Sequence, residues 1–416
     1  MRIAIIGSGI AGLTCAHELH PRASVTVFEA ASYAGGHTRT VEVISGQERV
    51  AIDTGFIVFN DRTYPNFVRL MNKCGVASQP TDMGFSFSCA RTGLEYNGHS
   101  LATLFAQRRN LFRPSFHRMI ADILRFNREA PRVLEQPAAD ATLGDYLAEQ
   151  AYHREFIDHY LGPMGSAIWS AERERTLQMP LSFFVRFFVN HGLLSLRDRP
   201  QWRVIRGGSR EYVKALSAPF AERIRLNCPV RAVQRSKRTV TVTTAAGKEA
   251  FDQVIFACHS DQALRLLADP TDAERSILGA LPYQTNDAVL HTDLRQMPRR
   301  RQAWAAWNSR RSAGAHPSFA VTYDMNRLQG LSSPTRYLVT LNPTDDIEPD
   351  RIIDRVTFHH PLFTREGMRA QQRWSEINGV QRTWFAGAYW GYGFHEDGVS
   401  SGLRVCHALT GLAPAT

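Results

Sequence analysis

With 416 residues the chain is too long for one simple core, so two or more folding units are expected. The formal charge is +10 with only four lysines, an arginine bias typical of either a GC-rich genome or an anionic partner such as a membrane surface, an acyl phospholipid or nucleic acid. The six cysteines form no CxxC pair or zinc-ligand spacing, and no stretch reaches the roughly 18 apolar residues of a membrane helix, so the composition excludes a zinc site and a membrane span.

A β-α-β unit opens the chain. The run "RIAIIG" predicts a buried strand, "GSGIAGLTCAHEL" a turn and a helix, and "SVTVFEA" a second strand. Gly7, Gly9 and Gly12 form a G-x-G-x-x-G pattern, and Glu29 ends the second strand 22 positions after Gly7. This arrangement is typical of a dinucleotide-binding unit: the first glycine forms the turn, the second admits a pyrophosphate, and the third lets helix and strand pack. The helix N-terminus would then face the phosphates, and Glu29 the ribose.

Residues from about 100 to 195 are predicted to be helical. In "FHRMIADILRFNREAPRVL" the apolar side chains share one face, and the arginines lie largely off it. Seven arginines fall within residues 107–132, which favours either a solvated helix face or docking on a membrane surface. Thr142, followed by Asp145, is expected to cap a helix.

Strands return after the helical region. "IRLNCPVRAVQRS" and "TVTVTTAAGKEAFDQVIFAC" are predicted strands, and a meander follows over residues 283–365, with "NDAVLHTD", "SFAVTYDM", "RYLVTLNP" and "RIIDRVTFHH". Asp261 is interpreted as the N-cap of the helix "DQALRLL", with a catalytic base as the alternative. The end of the chain contains one more strand, "RTWFAGAY", and a terminal helix, "SSGLRVCHALTGL". The order of these segments predicts two units that are interleaved rather than consecutive.

Two more glycine segments indicate which dinucleotide is bound. Gly35 and Gly36 follow Glu29, and "VAIDTGFIVF" contains a D-x-G with Gly55 and Phe56. With these segments the chain resembles the amine-oxidase-like class of FAD flavoproteins, which includes monoamine and polyamine oxidases, protoporphyrinogen oxidase and carotenoid desaturases. In that class the glycine pair lets backbone run beside the pyrophosphate and ribityl chain, and the residues matching Gly55 and Phe56 run along the flavin ring.

Later segments agree with this resemblance in the same order. "CPVRAV" resembles the strand whose valine, here Val230, contacts adenine, and "RVIRGGSREYVKAL" resembles the glycine turn before a helix. "FAGAYWGYGFHEDGVSSGLRVCHAL" resembles the last strand and the helix whose N-terminus meets the flavin. The resemblance places Asp397 at the ribityl or pyrophosphate. It also places the N–H groups of about Gly398, Val399 and Ser400 at flavin N1 and the C2 oxygen, where reduction adds negative charge.

The resemblance implies non-covalent FAD and an α/β fold. A Rossmann-like FAD-binding domain over 1–75, 202–275 and 375–416 is expected to interleave with an α+β substrate domain over 76–201 and 276–374, which joins a mixed or antiparallel sheet to the helical part. The implied cofactor-binding residues are Gly7, Gly9, Ile10, Ala11, Gly12, Glu29, Ala30, Gly35, Gly36, His37, Thr38, Thr54, Gly55, Phe56, Ile57, Val230, Ala257, Gly387, Glu396, Asp397, Gly398, Val399 and Ser400.

A narrower resemblance concerns the substrate. "DTGFIVFNDRTYPNF", "LFAQRRNLFRPSF", "HYLGPMGSAIWS", "NHGLLSLRDRPQWRVIRGGSREYV", "ACHSDQALRLL" and "GYGFHEDG" resemble signatures of a bacterial family of predicted NAD/FAD-binding proteins. Its members are associated with modified fatty acids and with cyclopropane-type lipid methyltransferases, and one branch is linked to furan fatty acids as an acyl desaturase. The resemblance implies an unsaturated acyl lipid substrate, a hydride accepted at flavin N5, and a partner lipid methyltransferase.

Substrate features in the sequence leave alternatives open. Amine oxidases of this class carry a lysine in the substrate sheet, but the meander over 283–365 contains none, which disfavours amine oxidation. The aromatic residues at 389, 390 and 392 either cage an amine or pack beside the ring. Phe184, Phe187 and Phe188 lie at helical spacing and either fill a core or line an acyl tunnel.

Catalysis requires a base that reaches the substrate. The candidate catalytic residues are His395, Glu396, His259 and Tyr392, and His395 or His259 in its plainer interpretation only hydrogen-bonds to backbone. The chain has one dinucleotide fingerprint, so re-oxidation by O2, a quinone or another protein is expected rather than by NAD(P)H. The alternatives to an acyl dehydrogenase are an amine or amino-acid oxidase, a redox-neutral acyl isomerase and a flavin-bound accessory subunit.

The expected location is the cytoplasm, peripherally on the inner face of the membrane, because no signal peptide or spanning segment is present. Reduced thiols are expected there. No nucleic-acid recognition motif and no G-x-S-x-G elbow occur, so nucleic-acid binding and serine hydrolysis are set aside.

Overall fold

The computed structural model describes residues 1–46, 48–135, 141–169, 172–195, 199–313 and 318–411. Residues 412–416 of the predicted FAD-binding ranges, and residues 196–198 in the quoted segment "NHGLLSLRDRPQW", lie outside the described residues. The strands of the described residues are, in chain order, β1 (Arg2–Ile6), β2 (Ser24–Phe28), β3 (Thr40–Ser45), β4 (Glu48–Asp53), β5 (Val58–Asn60), β6 (Ser78–Pro80), β7 (Phe85–Cys89), β8 (Glu95–Asn97), β9 (Trp202–Ile205), β10 (Ile224–Arg225), β11 (Ala232–Arg235), β12 (Val240–Thr244), β13 (Gly247–Phe251), β14 (Gln253–Phe256), β15 (Tyr283–His291), β16 (Trp307–Arg311), β17 (Phe319–Asp324), β18 (Leu338–Leu341), β19 (Ile352–Pro361) and β20 (Thr383–Phe385).

Sixteen α-helices accompany these strands in the described part of the chain, with short 3-10 turns and one π-helical turn, Ile157–Leu161, between them. The helices are α1 (Ile10–Leu19), α2 (Pro65–Lys73), α3 (Leu101–Leu104), α4 (Pro114–Glu129), α5 (Leu143–Glu149), α6 (Arg154–Phe156), α7 (Gly162–Trp169), α8 (Arg173–Gln178), α9 (Leu181–Asn190), α10 (Arg210–Ser217), α11 (Ser260–Leu266), α12 (Asp272–Gly279), α13 (Met325–Gln329), α14 (Arg365–Gln372), α15 (Trp374–Ile377) and α16 (His395–Thr410). Helices α3 to α9 form the helical region that the sequence predicts. Among the described residues, no helix has both the length and the apolar character needed to cross a bilayer.

A five-stranded parallel sheet forms one centre of the molecule, in the order β10-β2-β1-β14-β20. Parallel strands are covered on both faces, which explains why β1 is apolar at every position after Arg2. Ile3 and Ile5 pack towards α1, α10 and α16, whereas Ala4 and Ile6 pack towards the antiparallel sheet β11-β12-β13 and helices α11 and α12. The predicted β-α-β unit is confirmed as β1-α1-β2.

A second, seven-stranded sheet has the order β19-β15-β18-β17-β16-β7-β8. The predicted meander supplies its five strands from β15 to β19, and β7 joins β16 in the one parallel pairing among its described strands. The helical region packs against the β7-β8 end of this sheet. The combination of a parallel α/β sheet with a mixed sheet and a helical part confirms the predicted fold class.

The helix caps agree with the predicted positions at α5 but differ from them at α11 and α16. Thr142 caps α5, with its hydroxyl accepting from the Asp145 N–H at 3.1 Å. Asp261 does not cap α11; its carboxylate pairs with Arg265, and His259 occupies the N-cap position. The terminal helix begins at His395, five residues before the predicted start, because the Asp397 carboxylate accepts the Phe394 N–H at 2.9 Å and caps it there.

Candidate functional site

One large cavity joins the parallel sheet to the helical region. Its volume is about 1370 Å³, beyond the upper end of a typical small-ligand pocket, roughly 1,000 Å³. Its walls run from the loop after β1, past β19 and the segment before α16, to helices α7 and α9. A cavity of this size holds a dinucleotide together with a second ligand.

The glycine-rich loop after β1 forms one end of the cavity. Gly7 has φ +104° and its α-carbon faces the Ala257 carbonyl so closely that a Cβ there would lie 2.8 Å from the oxygen. A Cβ at Gly12 would lie 2.0 Å from the Gly7 oxygen, so this glycine permits the helix-strand contact. At Gly9, by contrast, a Cβ would meet nothing within 4 Å and would point into open space. That space, at the N-terminus of α1, is where the pyrophosphate of a dinucleotide fits.

Glu29 stands at the end of β2, beside this loop. Its carboxylate accepts the Ser8 N–H at 2.9 Å, the Ser8 hydroxyl at 2.6 Å and the Ala31 N–H at 2.8 Å. Each carboxylate oxygen can accept more than one hydrogen bond, so the group stays available for ribose hydroxyls. Val230 and Pro229 line the cavity near this carboxylate, and Val230 precedes β11 instead of lying within it. These residues fit the adenosine half of FAD.

The segment after β4 forms another part of the cavity wall. Asp53 is fully buried, and its carboxylate accepts from the Thr40 hydroxyl at 2.6 Å and from the Ser209 N–H and hydroxyl at 2.8 Å. Burial raises the pKa of Asp53 to about 6. This carboxylate ties the glycine turn before α10 to the end of β4 and so fixes Gly55 and Phe56 along the cavity wall.

His395 is the first residue of α16 and faces the cavity. Its ring stacks on Phe56 with centroids 3.5 Å apart, and its Nε2 lies 3.0 Å from the Thr38 hydroxyl and 3.1 Å from the Tyr212 hydroxyl. Burial lowers the pKa of His395 well below its usual value, so the imidazole is neutral near pH 7. A neutral imidazole that is hydrogen-bonded to two hydroxyl groups can hold or pass a proton.

The residues after His395 face away from the cavity. Glu396 caps α2: its carboxylate accepts from the Asn66 N–H at 3.1 Å, the Asn66 side chain at 2.8 Å and the Phe67 N–H at 2.9 Å. Asp397 is a helix cap whose pKa burial raises to about 7. The Gly398 N–H already donates to the Phe394 carbonyl, so the free N–H groups of α16 belong to the residues before Gly398.

Close packing explains the glycines of α16. A Cβ at Gly398 would lie 2.7 Å from Ile10 Cγ2, and one at Gly402 would lie 2.9 Å from the Ala11 oxygen. Val399 is part of the core beneath α1, and the Ser400 hydroxyl lies 3.0 Å from the Asn66 side-chain amide. These residues position α16 against α1 and do not themselves reach the cavity.

Four histidines that the sequence did not single out as a group meet near the glycine loop. The ring of His37 lies 5.7 Å from that of His259 and 5.3 Å from that of His360, and His359 lies 6.3 Å from His259. His360 is held by the Asn286 side chain at 2.7 Å. Burial lowers the pKa of His37 to about 4 and those of His259 and His360 to about 3. They come from three distant segments, so no spacing in the sequence marks them.

The opposite half of the cavity is lined mainly by apolar side chains, with His191, Arg199 and Gln201 also among its lining residues. Phe187, which was predicted either to fill a core or to line a tunnel, lies on this wall and stacks on Phe394 at 5.1 Å, whereas Phe184 and Phe188 stack on each other at 4.3 Å in the helical core. Tyr392 also faces the cavity. Other apolar and aromatic side chains of this half are Phe85, Tyr160, Met164, Ala167, Ile168, Trp169, Leu193, Tyr323, Val339, Leu341 and Phe363.

The structure brings most of the predicted site residues to this one cavity. Those that line it are Gly7, Gly9, Ile10, Ala11, Glu29, Ala30, Gly35, Gly36, His37, Thr54, Gly55, Phe56, Ile57, Val230, Ala257, His259, Gly387, Tyr392 and His395. Those that lie behind its wall are Gly12, Thr38, Glu396, Asp397, Gly398, Val399 and Ser400. Sequence analysis did not identify Ser8, Tyr212, His359 or His360. Within the described residues, no group of histidine, cysteine, aspartate and glutamate side chains has the geometry to hold a metal ion.

Comparison with known proteins relates this site to a family. Residues 10–410 match the family described as flavin containing amine oxidoreductase. No curated protein matches the chain in sequence. The fold is similar to that of cyclohexylamine oxidase from Brevibacterium oxydans IH-35A, with 16% identity, 99% of this chain and 98% of that chain covered, and a TM-score of 0.71.

Two further solved structures share the fold. A protein assigned as a protoporphyrinogen oxidase from Exiguobacterium sp. 255-15 has 18% identity, 98% coverage of both chains and a TM-score of 0.70. The CLA-producing fatty acid isomerase from P. acnes has 15% identity, 98% coverage of both chains and a TM-score of 0.68. At these identities the likeness concerns the fold alone. The family match spans nearly the whole chain, and the open space at Gly9, the Glu29 carboxylate and the Gly55–Phe56 wall fit FAD. The chain therefore belongs to the flavin containing amine oxidoreductase family and is an FAD-dependent oxidoreductase.

Proposed function

We propose that this oxidoreductase dehydrogenates an unsaturated fatty acyl chain carried by a phospholipid. The observation that carries the proposal is the apolar half of the cavity, which begins beside Phe56 and His395 and continues between α7, α9 and the seven-stranded sheet. An extended hydrocarbon gains about 0.8 kcal/mol for each CH2 group that such a wall removes from water. A small polar substrate would leave most of these apolar side chains without apolar contacts.

The charge of the cavity disfavours an amine as the substrate. Glu29 and Asp82 are the carboxylates among its described lining residues, and Glu29 lies beside the glycine-rich loop. Asp82 accepts the Gly84 N–H at 3.0 Å. The chain's four lysines lie outside the cavity lining, whereas amine oxidases of this class carry a lysine in the substrate sheet. Trp390 does not complete an aromatic cage, because it is not among the cavity-lining residues and packs against the core instead, with its indole N–H donating to the Phe385 carbonyl at 3.1 Å.

A second candidate function is redox-neutral isomerisation of an acyl chain. One protein with this fold is named a fatty acid isomerase, which makes a double-bond shift the alternative that deserves a direct test. Both reactions use the same cavity and the same substrate class. They differ in whether the substrate loses two hydrogens or keeps its composition.

The protein's residues have defined tasks in either reaction. Bound FAD supplies an acceptor for two electrons as hydride, and O2, a quinone or a protein would re-oxidise it after a dehydrogenation. The apolar wall excludes water and aligns the chain. His395, neutral and linked through Nε2 to Thr38 and Tyr212, would take the proton that leaves the adjacent carbon.

An anaerobic titration tests the proposal. The FAD-loaded protein is titrated separately with a monounsaturated phospholipid, its saturated counterpart and a set of amines. Flavin absorbance is followed, and the masses of the lipid products are measured by mass spectrometry. Bleaching by the unsaturated lipid, with a product two hydrogens lighter, supports dehydrogenation. A moved double bond at unchanged mass supports the isomerase. Bleaching by an amine alone would refute both.

A further inference from the structure

A surface beside the mouth of the cavity combines exposed apolar side chains with arginines. Leu101 and Phe112 are 76% and 86% exposed, the largest exposures among the apolar side chains of the described residues, and Leu111 is 47% exposed. Arg108 and Arg109 are also exposed. The docking patch is defined here as Leu101, Leu111 and Phe112 together with Arg108, Arg109, Arg113, Arg299, Arg300 and Arg301.

Two segments far apart in the sequence meet in this patch. The buried Glu95 carboxylate accepts the Arg299 N–H at 2.8 Å and the Arg300 N–H at 3.1 Å, which brings the run "RRR" to β8. The Gln302 side chain donates to the Ala102 carbonyl at 3.2 Å and joins the same run to α3. The sequence contains arginine runs at 107–132 and at 299–301, and the fold brings the second beside the first.

The patch carries positive charge without nearby compensation. No aspartate or glutamate occurs between Tyr96 and Ala121 or between Leu294 and Trp304. Among the described residues, none of the six patch arginines forms a salt bridge. The Glu95 carboxylate beside the patch is buried and already accepts two backbone N–H groups. Arg109 donates to the Gly93 carbonyl at 2.5 Å and Arg301 lies over the Trp304 ring, but neither contact neutralises the charge. An anionic surface therefore meets six guanidinium groups that no described carboxylate pairs with.

The loop that presents the apolar side chains is held in shape. The Gln107 side chain donates to the Gly93 carbonyl at 2.8 Å, and the His117 ring lies 2.9 Å from the Leu111 carbonyl. The Phe105 ring packs against that of Phe116, with centroids 5.7 Å apart. Leu111 and Phe112 are thus held outward by a folded loop, an arrangement typical of side chains that insert into a lipid interface.

The patch adjoins an opening of the cavity. Gly98 and His99 both line the cavity and are exposed to solvent, so they mark one of its mouths. Leu101 follows two residues later. A phospholipid whose chain enters this mouth would leave its headgroup beside the patch arginines.

We propose that the docking patch binds the surface of an anionic phospholipid bilayer and so places the cavity mouth at Gly98–His99 against the lipid. This inference rests on the proposed function, because it supplies the route by which a membrane acyl chain reaches the cavity. Nucleic acid would match the arginines but would leave Leu101 and Phe112 without apolar partners.

Vesicle sedimentation of the FAD-loaded full chain tests the inference. The vesicles contain phosphatidylcholine alone, or phosphatidylcholine and phosphatidylglycerol in roughly equal parts, because anionic lipid supplies the attraction. F112S is expected to weaken binding to the anionic vesicles about tenfold. R108Q/R109Q/R113Q is expected to weaken it about 100-fold, from roughly fivefold for each arginine near an anionic surface.

Matched controls are available elsewhere on the surface. Ile44→Ser removes an apolar side chain that is 75% exposed, and R22Q/R231Q/R238Q removes three exposed arginines outside the patch. Both controls should bind vesicles like the wild type, and all variants should melt at the same temperature. Equal binding of patch and control variants, no binding by the wild type, or equal binding to neutral and anionic vesicles would overturn the inference.

A second measurement separates this inference from the proposed function. Flavin bleaching is followed with the unsaturated lipid dispersed in detergent, where no bilayer needs to be reached. Patch variants that bleach normally in detergent but slowly with vesicles support docking as a delivery step. Patch-dependent vesicle binding without any bleaching in detergent would retain docking and refute the acyl substrate.

Discussion

Gly9→Ala is expected to weaken FAD binding while leaving the apoprotein folded. Gly9 has φ −66° and ψ 177°, a conformation open to any residue, and its added Cβ would meet no protein atom within 4 Å. Alanine there should therefore keep or raise apoprotein stability, by about 0.4–1 kcal/mol through the unfolded chain. The methyl group would occupy the space that a pyrophosphate needs at the start of α1.

The loss of affinity is expected to be at least about tenfold, or 1.4 kcal/mol. It is measured by titrating the apoprotein with FAD and following the quenching of flavin fluorescence, with thermal unfolding of the apoprotein alongside. The matched control is Gly12→Ala, whose Cβ would lie 2.0 Å from the Gly7 oxygen. That overlap should destabilise the apoprotein itself by about 3 kcal/mol. Wild-type FAD affinity for Gly9→Ala would show that the space beside Gly9 is not the phosphate site.

Four further outcomes are expected. Burial lowers the pKa of His37 to about 4 and that of His259 to about 3, below the value of 6.5 in the unfolded chain. The stability gained by keeping these rings neutral is therefore present above pH 6.5 and is lost as the pH falls towards 4. The melting temperature of the apoprotein should drop across that range, and it should drop less in H37N/H259N. H395F keeps a ring to stack on Phe56 and should retain FAD, but substrate-dependent bleaching should slow about 100-fold; an unchanged rate would assign His395 to packing only. E396Q should lower the free energy of unfolding by about 2 kcal/mol without changing bleaching per bound flavin, and a slowed reaction would restore Glu396 as a catalytic candidate. A167L should reduce kcat/KM for long acyl chains about tenfold relative to short ones, and equal effects on both would place the chain elsewhere.

The start of the site was predictable because its determinants are local. The strand, the three glycines, the helix and Glu29 follow one another along the chain. Gly7 takes the left-handed turn conformation, Gly12 permits the helix-strand contact, and a Cβ at Gly9 would point into open space. The segment with Gly55 and Phe56 was identified through resemblance, and it lines the cavity as expected. The cofactor-binding half therefore required little knowledge of long-range contacts.

The C-terminal part of the site was harder to predict from the sequence, because glycines there can serve different purposes. Gly398 was expected near the flavin, but it makes room for Ile10 of the neighbouring helix, and Asp397 caps its own helix. A glycine beside a ligand and a glycine beside a helix look the same in sequence. The histidine group and the meeting of two arginine runs at Glu95 also depend on pairings between residues more than 100 positions apart, which no periodicity encodes.

The packing of the two ends of the chain explains why both are needed for one cofactor. Helices α1 and α16 run side by side in the same direction, since Ile10 meets Gly398 and Thr14 meets Gly402. Both helices consequently begin at the cavity, at Gly9 and at His395, and two positive dipole ends lie near each other. Glu396 and Asp397 lie in the first turn of α16 and offset its positive end, whereas the first turn of α1 contains no acidic residue. The phosphates of FAD would therefore compensate chiefly the end of α1, and bound FAD would stabilise the folded chain by mass action.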